Sequence, residues 1–284
     1  MSVWNHTPAI DHGISLKYLH QYSLKKGGVD YTPPATYSQI HTQSGIVDIH
    51  MTTLIPPMLD FANHRADATE EDIHILCKTV LSYQFNSAFV NPIHVKLARG
   101  LIGDKAKVGT VISFPLGQDE TDIKIHAIRE AVQNGADELD IVPDISRLKE
   151  KKADLFEQEL IDLTASARFM RKNIVVKFII ETGLFLPEHF LTLKSPDINE
   201  GREQIVIAVR AIERSGADFV KICSGMGSRG VSEDDVLFIR SLVKPGMKIK
   251  GAGGIHTKEK ALNLIKAGAN RLGTSHAPQI IDEH

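Results

Sequence analysis

The chain has 284 residues, 42% hydrophobic and 24% charged, and its 33 basic and 35 acidic side chains leave a formal charge of −2. That balance excludes disordered, collagenous and disulfide-scaffold classes, and a near-zero charge argues against a nucleic-acid or membrane-surface protein. Two cysteines, Cys77 and Cys223, cannot build a disulfide framework, no window approaches 18 apolar residues, and no apolar run opens the chain as a signal peptide would, so the expected location is cytoplasmic.

Residues 1–51 stand apart from the rest. They hold His6, His12, His20, His41 and His50, the aromatics Trp4, Tyr18, Tyr22, Tyr31 and Tyr37, and the breaker run Thr32-Pro33-Pro34. A short helix is expected around Ile14 to Tyr22, followed by an irregular arm. It reads either as a poorly ordered terminus or as an arm packed on a neighbouring subunit.

From residue 52 to residue 284, short β-branched runs alternate with longer amphipathic stretches. A first strand is expected near Met58 to Phe61, then a helix over Thr69 to Tyr83 opened by Asp67-Ala68-Thr69-Glu70-Glu71, with acids on its first turn. Strands at Ala88 to Asn91 and Lys107 to Ile112 precede a helix from Thr121 to Asn134. The strand Glu138 to Val142, helix Leu155 to Arg171, strand Ile174 to Ile180 and helix Gln204 to Ser215 come next. The strand Phe219 to Ile222, helix Asp234 to Val243, strand Lys248 to Lys250, helix Lys258 to Ala267 and strand Arg271 to Leu272 complete the series. Strands separated by helices imply a parallel sheet with right-handed crossovers. One αβ junction recurs, as Asn134-Gly135-Ala136-Asp137, Ser215-Gly216-Ala217-Asp218 and Ala267-Gly268-Ala269-Asn270. Eight βα units in this length predict a closed (β/α)8 TIM barrel with an N-terminal extension.

Two lysines occupy strands that should be buried: Lys177 within Ile174 to Ile180, and Lys221 within Asp218 to Cys223. A lysine buried without a partner costs several kcal/mol or loses its proton. The bland reading is that Lys177 points outward or snorkels at the sheet edge. Two such lysines near the catalytic C-terminal face of a barrel favour a sharper one: one attacks a carbonyl to form a Schiff base while the other lowers its pKa. Strand alternation puts Glu138, Asp140 and Val142 on one face, which makes Asp140 a candidate for proton transfer or a counter-ion for a lysine. Asp60, in the short first strand, is a second candidate carboxylate.

The last third holds two anion-binding candidates. Lys250 to Thr257 contains Gly251, Gly253 and Gly254, and Arg271 to Ser275 contains Gly273, Thr274 and Ser275. Loops after strands seven and eight commonly bind phosphate in barrels, since glycines admit oxygens to backbone N–H groups and Thr274 or Ser275 can donate a hydroxyl. The 13 histidines have no metal-site spacing, so no metal is expected. Cys223 is expected to line the pocket as a small residue rather than act as a nucleophile.

The blocks Asp67 to Ile73, Val90-Asn91-Pro92, Val111 to Gly117, Asn134 to Val142, Val176 to Gly183, Gly216 to Gly227, Ala252 to Thr257 and Arg271 to Ser275 together resemble the deoxyribose-phosphate aldolase family over about Pro57 to Ile281. The resemblance implies a class I aldolase that cleaves 2-deoxyribose 5-phosphate reversibly to acetaldehyde and glyceraldehyde 3-phosphate, without a metal or organic cofactor, and as a homo-oligomer. It implies that Lys177 forms the Schiff base, Lys221 lowers its pKa and Asp140 assists proton relay. Asp60 would lie near the substrate hydroxyls, and Gly225, Gly253, Gly254, Thr274 and Ser275 would bind the phosphate. The rim departs from the family. Phe61-Ala62-Asn63-His64 stands for a His-Thr-Leu-Leu-like run, Ser275-His276 for a Ser-Ser pair, His256 for an arginine, Phe89 for a cysteine and Ile222-Cys223-Ser224-Gly225 for Thr-Ser-Thr-Gly. Two alternatives follow: a Schiff-base aldolase for another small sugar or sugar phosphate, and an inactive barrel serving as a binding partner.

Overall fold

β-branched runs bounded by glycine, asparagine and aspartate form eight short strands. These are β1 Leu59–Asn63, β2 Ser87–Val90, β3 Lys107–Ile112, β4 Glu138–Ile141, β5 Val175–Ile179, β6 Phe219–Lys221, β7 Lys248–Ala252 and β8 Arg271–Thr274. The computed structural model describes residues 55–283, so the arm and the short helix expected within residues 1–51 lie outside the described residues. Each strand pairs in parallel with the next, and β8 pairs with β1 to close the barrel. The expected (β/α)8 barrel is the observed one.

Around it run α1 Glu70–Tyr83, α2 Val95–Ile102, α3 Thr121–Gln133, α4 Ser146–Lys149, α5 Ala153–Met170, α6 Pro196–Ser215, α7 Glu233–Leu242, α8 Lys258–Lys266 and α9 Ala277–Asp282. Helix α1 starts at Thr69 because its hydroxyl accepts from the Asp72 amide while the Asp72 carboxylate reaches back to the Thr69 amide, a capping box. Its buried residues Ile73, Leu76, Cys77 and Val80 follow the i, i+3, i+4, i+7 spacing of one helical face. At about 1.5–3 kcal/mol for each large apolar side chain, their burial outweighs the small intrinsic helix propensity. Helix α6 begins eight residues before the expected Gln204. Ser195 caps it and Pro196 fits its first turn, but the polar run Asp197, Asn199, Glu200 hides the apolar period.

The repeated junction has a mechanical role. The side chains of Asp137, Asp218 and Asn270 accept hydrogen bonds from the amides of Val108 (2.9 Å), Val176 (2.8 Å) and Ile249 (2.9 Å), each the second residue of the neighbouring strand. Each also accepts from an arginine on a preceding helix, namely Arg99, Arg168 and Arg240. The short polar side chain thus staples two strands and a helix at the N-terminal end of the barrel. Outward strand residues such as Leu139, Ile141, Val176, Phe178 and Val220 join one continuous apolar layer beneath the helices. The inward residues are of another kind, and they make the site.

Candidate active site

The barrel interior is packed with charge. Among the described residues, Asp60, Glu138 and Asp140 point inward and meet Lys177, Lys221, Lys250 and Arg271. Asp140 is the hub: Oδ1 lies 2.9 Å from Lys177 Nζ, and Oδ2 lies 2.8 Å from both Lys221 Nζ and Lys250 Nζ. Asp60 takes Lys250 at 2.6 Å and Arg271 at 2.8 Å, and its Oδ1 also accepts from Ser87 (2.7 Å) and Asn86 (2.8 Å). Burial works against all three carboxylates, yet the surrounding cations hold each below its ordinary pKa. Phe89 inserts its ring among them, with Lys250 Nζ 3.7 Å and Lys177 Nζ 4.7 Å from the centroid. Only a glycine allows this, since a Cβ on Gly109 would sit 2.1 Å from the ring.

Strand register separates the two lysines singled out in the sequence. Lys177 pairs across from Phe219, whereas Lys221 pairs with Ile179, one inward layer nearer the C-terminal end. Lys177 is wholly enclosed, 2.7 Å from Glu138 and 2.9 Å from Asp140. Burial disfavours its charge, but Asp140, Glu138 and Asp60 outweigh burial and raise its pKa above the usual lysine value. Lys221 is the last residue of β6 and opens into a cleft of 480 Å³. Its pKa is pushed down to about 8, first by burial and then by the neighbouring Lys250 and Lys177, against the pull of Asp140.

The cleft lies at the C-terminal ends of the strands. Its floor is Phe89, Lys221 and Lys250, and its wall includes His64 and Phe114. The far end is built by the loops after β6, β7 and β8: Ser224 to Met226, Gly253 to His256 and Thr274 to His276. Gly225, Gly253 and Gly254 have φ of +87°, +83° and +70°. The first two approach so closely that a Cβ on Gly253 would lie 2.8 Å from the Gly225 Cα. No other residue type fits both the space and the dihedral. His256 and His276 face each other with Nδ1 atoms 3.1 Å apart. Besides Lys221 and Lys250 the lining holds one cation, Arg65, which Asp67 takes in a bidentate pair at 2.8 and 2.9 Å. A larger groove of 720 Å³ beside α4–α6 carries Lys151, Lys194, Glu200 and Glu203 at the surface, without a comparable cluster of buried charges.

The structure sets several of the expected site residues away from the cleft. Lys177 does not face it and its pKa is raised, whereas the lowered pKa belongs to Lys221. Asp140 does not line the cleft and is held ionised among three lysines, as a counter-ion to them. Asp60 is likewise sealed beneath the cleft, its Oδ1 taken by Asn86, Ser87 and Arg271 and its Oδ2 paired with Lys250. Thr274 lines the cleft, but its hydroxyl donates to the Ile255 carbonyl (2.7 Å) and accepts from the His276 amide (2.9 Å). Cys223 turns into the apolar layer behind β6 and lies 3.5 Å from the Thr182 hydroxyl. Lys221, Gly225, Gly253, Gly254 and Ser275 do line the cleft. Lys250 was legible as the basic residue before a glycine loop and as a possible third cation of the pocket, and Glu138 and Arg271 were not read as members of the network.

The DeoC/LacD family aldolase profile matches residues 52–275. The chain is 38% identical over 231 residues to a deoxyribose-phosphate aldolase of Thermococcus gammatolerans, covering 80% of this chain and 95% of that one. It is 37% identical over 230 residues to the deoxyribose-phosphate aldolase of Caldicellulosiruptor saccharolyticus, covering 81% and 97%. Among solved structures, an aldolase called QR15 superposes with a TM-score of 0.71 at 34% identity, over 81% of this chain and 95% of that one. The tetrameric deoxyribose phosphate aldolase of Aeropyrum pernix gives 0.70 at 28% identity, over 84% and 97%. With a charged barrel interior opening on a lysine at the catalytic face and relatives of this identity along nearly their whole length, the chain belongs to the DeoC/LacD family of aldolases.

Proposed function

We propose that the protein is a class I aldolase that cleaves 2-deoxy-D-ribose 5-phosphate reversibly to acetaldehyde and D-glyceraldehyde 3-phosphate, with Lys221 as the Schiff-base nucleophile. The carrying observation is the Lys221 ammonium at the cleft floor, its pKa brought down to about 8. At pH 7 roughly a tenth of such an amine is neutral, against less than a thousandth for an ordinary lysine. The neutral amine adds to the substrate C1 carbonyl, and water leaves to form an iminium. As the C2–C3 bond breaks, its electron pair is drawn into the iminium, and the C3 hydroxyl passes its proton to a water molecule to become the aldehyde of the departing fragment. The enamine left on Lys221 is protonated at C2 and hydrolysed to acetaldehyde. Asp140, 2.8 Å from Nζ, stabilises the iminium, while Lys250 on the same oxygen favours the neutral amine before attack. At the far end, the backbone amides of the Gly225 and Gly253–Gly254 loops, Ser275 and the two histidines would receive the phosphate.

The test is trapping. Incubation with acetaldehyde and borohydride, followed by peptide mass spectrometry, should label Lys221; label on Lys177 instead would overturn the assignment. A second reading, an aldolase for an unphosphorylated sugar, is favoured by the far end of the cleft, where no lysine or arginine is free among the described residues and Met226 is 53% exposed. Turnover of deoxyribose with and without its 5-phosphate separates the two. Homo-oligomerisation is proposed from the tetrameric Aeropyrum relative alone, and light scattering in solution tests it. A cytoplasmic setting is supported by the two buried free thiols, Cys77 and Cys223.

A further inference from the structure

His64 stands just past the end of β1, where its ring packs against Phe114 (centroids 5.3 Å) and Phe89 (6.2 Å) and lines the cleft that holds Lys221. Its Nδ1 is enclosed and has no hydrogen-bond partner. Asn91 donates its amide nitrogen to the Arg65 carbonyl at 3.2 Å, which leaves its amide oxygen for the imidazole. The Asn91 contact favours the protonated ring, as it must if the ring donates to that oxygen. We assign the neutral ring's single proton to Nε2, which leaves the enclosed Nδ1 with a bare lone pair. Burial and then Lys221, with a smaller contribution from Lys250 and against the pull of Asp140, push the ring pKa down to about 3, so the imidazole is neutral at every pH where an aldolase would work. So weak a base does not take a proton from an alcohol, but it can accept a hydrogen bond from one.

Around His64 itself the cleft floor presents donors, the Lys221 and Lys250 ammoniums, while the other polar side chains of the lining, Asn63, Asp72, His256 and His276 among them, complete its walls. A buried acceptor without a donor is costly, and such an atom in a binding cleft marks where a ligand donor belongs. We propose that His64 is a specificity-determining residue that accepts a hydrogen bond through Nδ1 from a hydroxyl on the aldehyde fragment, the one next to the reacting carbon and not itself consumed. This rests on the aldolase reading above and assigns a residue to the selection of its substrate: the 2-hydroxyl of the aldehyde in the synthetic direction, which is the 4-hydroxyl of the sugar in cleavage. The ring cannot serve as the base for the C3 hydroxyl, so its contribution is orientation and selection.

The experiment runs the reaction toward synthesis, with acetaldehyde as donor and either glyceraldehyde 3-phosphate or 3-phosphooxypropanal, which lacks the hydroxyl, as acceptor. The readout is the ratio of the two kcat/KM values. One neutral hydrogen bond corresponds to roughly tenfold, so the wild-type protein should prefer the hydroxylated aldehyde by about that factor or more. His64→Leu, which keeps an apolar side chain between Phe89 and Phe114, should bring the ratio to within about twofold of unity. His64→Asn, which retains an acceptor near the Nδ1 position, should regain part of it. An unchanged ratio in His64→Leu overturns the inference. So does a wild-type protein that forms the acetaldehyde adduct on Lys221 yet extends neither acceptor. Absence of the adduct in the wild-type protein is a separate failure: it removes the aldolase reading, and the assignment of His64 with it. Should His64→Leu fail to fold, 15N-histidine NMR of the wild-type protein decides. The His64 Nδ1 resonance should respond to glycerol 3-phosphate and not to propanediol phosphate, and an equal response to both overturns the inference.

Discussion

Lys250→Met tests the electrostatic part of the mechanism without touching the nucleophile. The Lys221 and Lys250 ammoniums both lie 2.8 Å from Asp140 Oδ2, so they are no more than about 5.6 Å apart. At that separation and an effective dielectric constant near 20, two unit charges repel by ~3 kcal/mol, about two pK units. Burial persists in the variant, so the Lys221 pKa should rise from about 8 by one to two units, against an ordinary lysine value of 10.5. No charge is stranded: Asp60 keeps Arg271, Ser87 and Asn86, and Asp140 keeps Lys177 and Lys221. The neutral fraction of the amine at pH 7 should then fall about 10- to 100-fold. The assay is the initial rate of borohydride-trapped acetaldehyde adduct between pH 6 and 10. The limb that rises with pH should move up by one to two units in Lys250→Met, and much of the lost rate should return at pH 10. A limb that stays in place, or a rate that alkali does not restore, would refute the argument that Lys250 sets the nucleophile's pKa.

Replacing the two buried lysines should change stability in opposite directions, which urea denaturation at pH 7 measures. The Lys221 pKa is lower folded than unfolded, so its charge penalises the fold below pH 8 and the penalty fades between pH 8 and 10.5; Lys221→Met should therefore abolish turnover while stabilising by up to about 3 kcal/mol. The Lys177 pKa is raised in the fold, so its contribution is fully present below its unfolded value; Lys177→Met should leave Glu138 and Asp140 underpaired and destabilise by about 3–5 kcal/mol. Asp60, Glu138 and Asp140 are held below unfolded values of 3.8, 4.5 and 3.8, so the stability they contribute is present above those values and is lost as pH falls through the lower folded ones. Acid titration followed by circular dichroism should show stability falling below about pH 4.5, and a flat profile from pH 5 to 2 would contradict that. Gly253→Ala places a Cβ 2.8 Å from the Gly225 Cα at a φ of +83°, so the loop must shift. KM for the phosphorylated substrate should rise about tenfold with a much smaller change in kcat, and equal losses in both would place the loop in the chemical step instead.

The architecture was legible because repetition compensates for weak local signals. A single β-branched run such as Phe219 to Lys221 is too short to distinguish a strand from a buried helical segment, but its spacing from Asn134-Gly135-Ala136-Asp137 and its two copies marks it as a repeating unit. Helices outside that rhythm were missed. Helix α2, Val95–Ile102, has eight residues and buries Val95, Ala98 and Ile102, while Lys96, Arg99 and Gly100 interrupt the apolar pattern. The first turns of α6 were missed for a related reason, since a capped and charged N-terminus exposes polar side chains before the apolar face begins.

The site was legible as a set of residues but not as a set of roles, and the reason is depth. Both lysines could be identified as inward from their place in apolar strands, yet which of them meets substrate depends on the strand end and on the neighbour's register. Two apolar strand residues, Phe178 and Ile179, follow Lys177 before β5 ends, whereas β6 ends at Lys221 itself. That distance to the last strand residue was present in the sequence, and it places Lys177 one layer below the cleft. What no strand pattern contains is the partner set. Asp140, Glu138, Lys250 and Arg271 come from three different strands, and only barrel closure brings them within ion-pair distance of one another. The closed ring therefore decides the chemistry: the enclosed lysine is pinned in its charged form by two carboxylates, while the one at the rim shares a single carboxylate oxygen with a second ammonium and gives up its proton more easily.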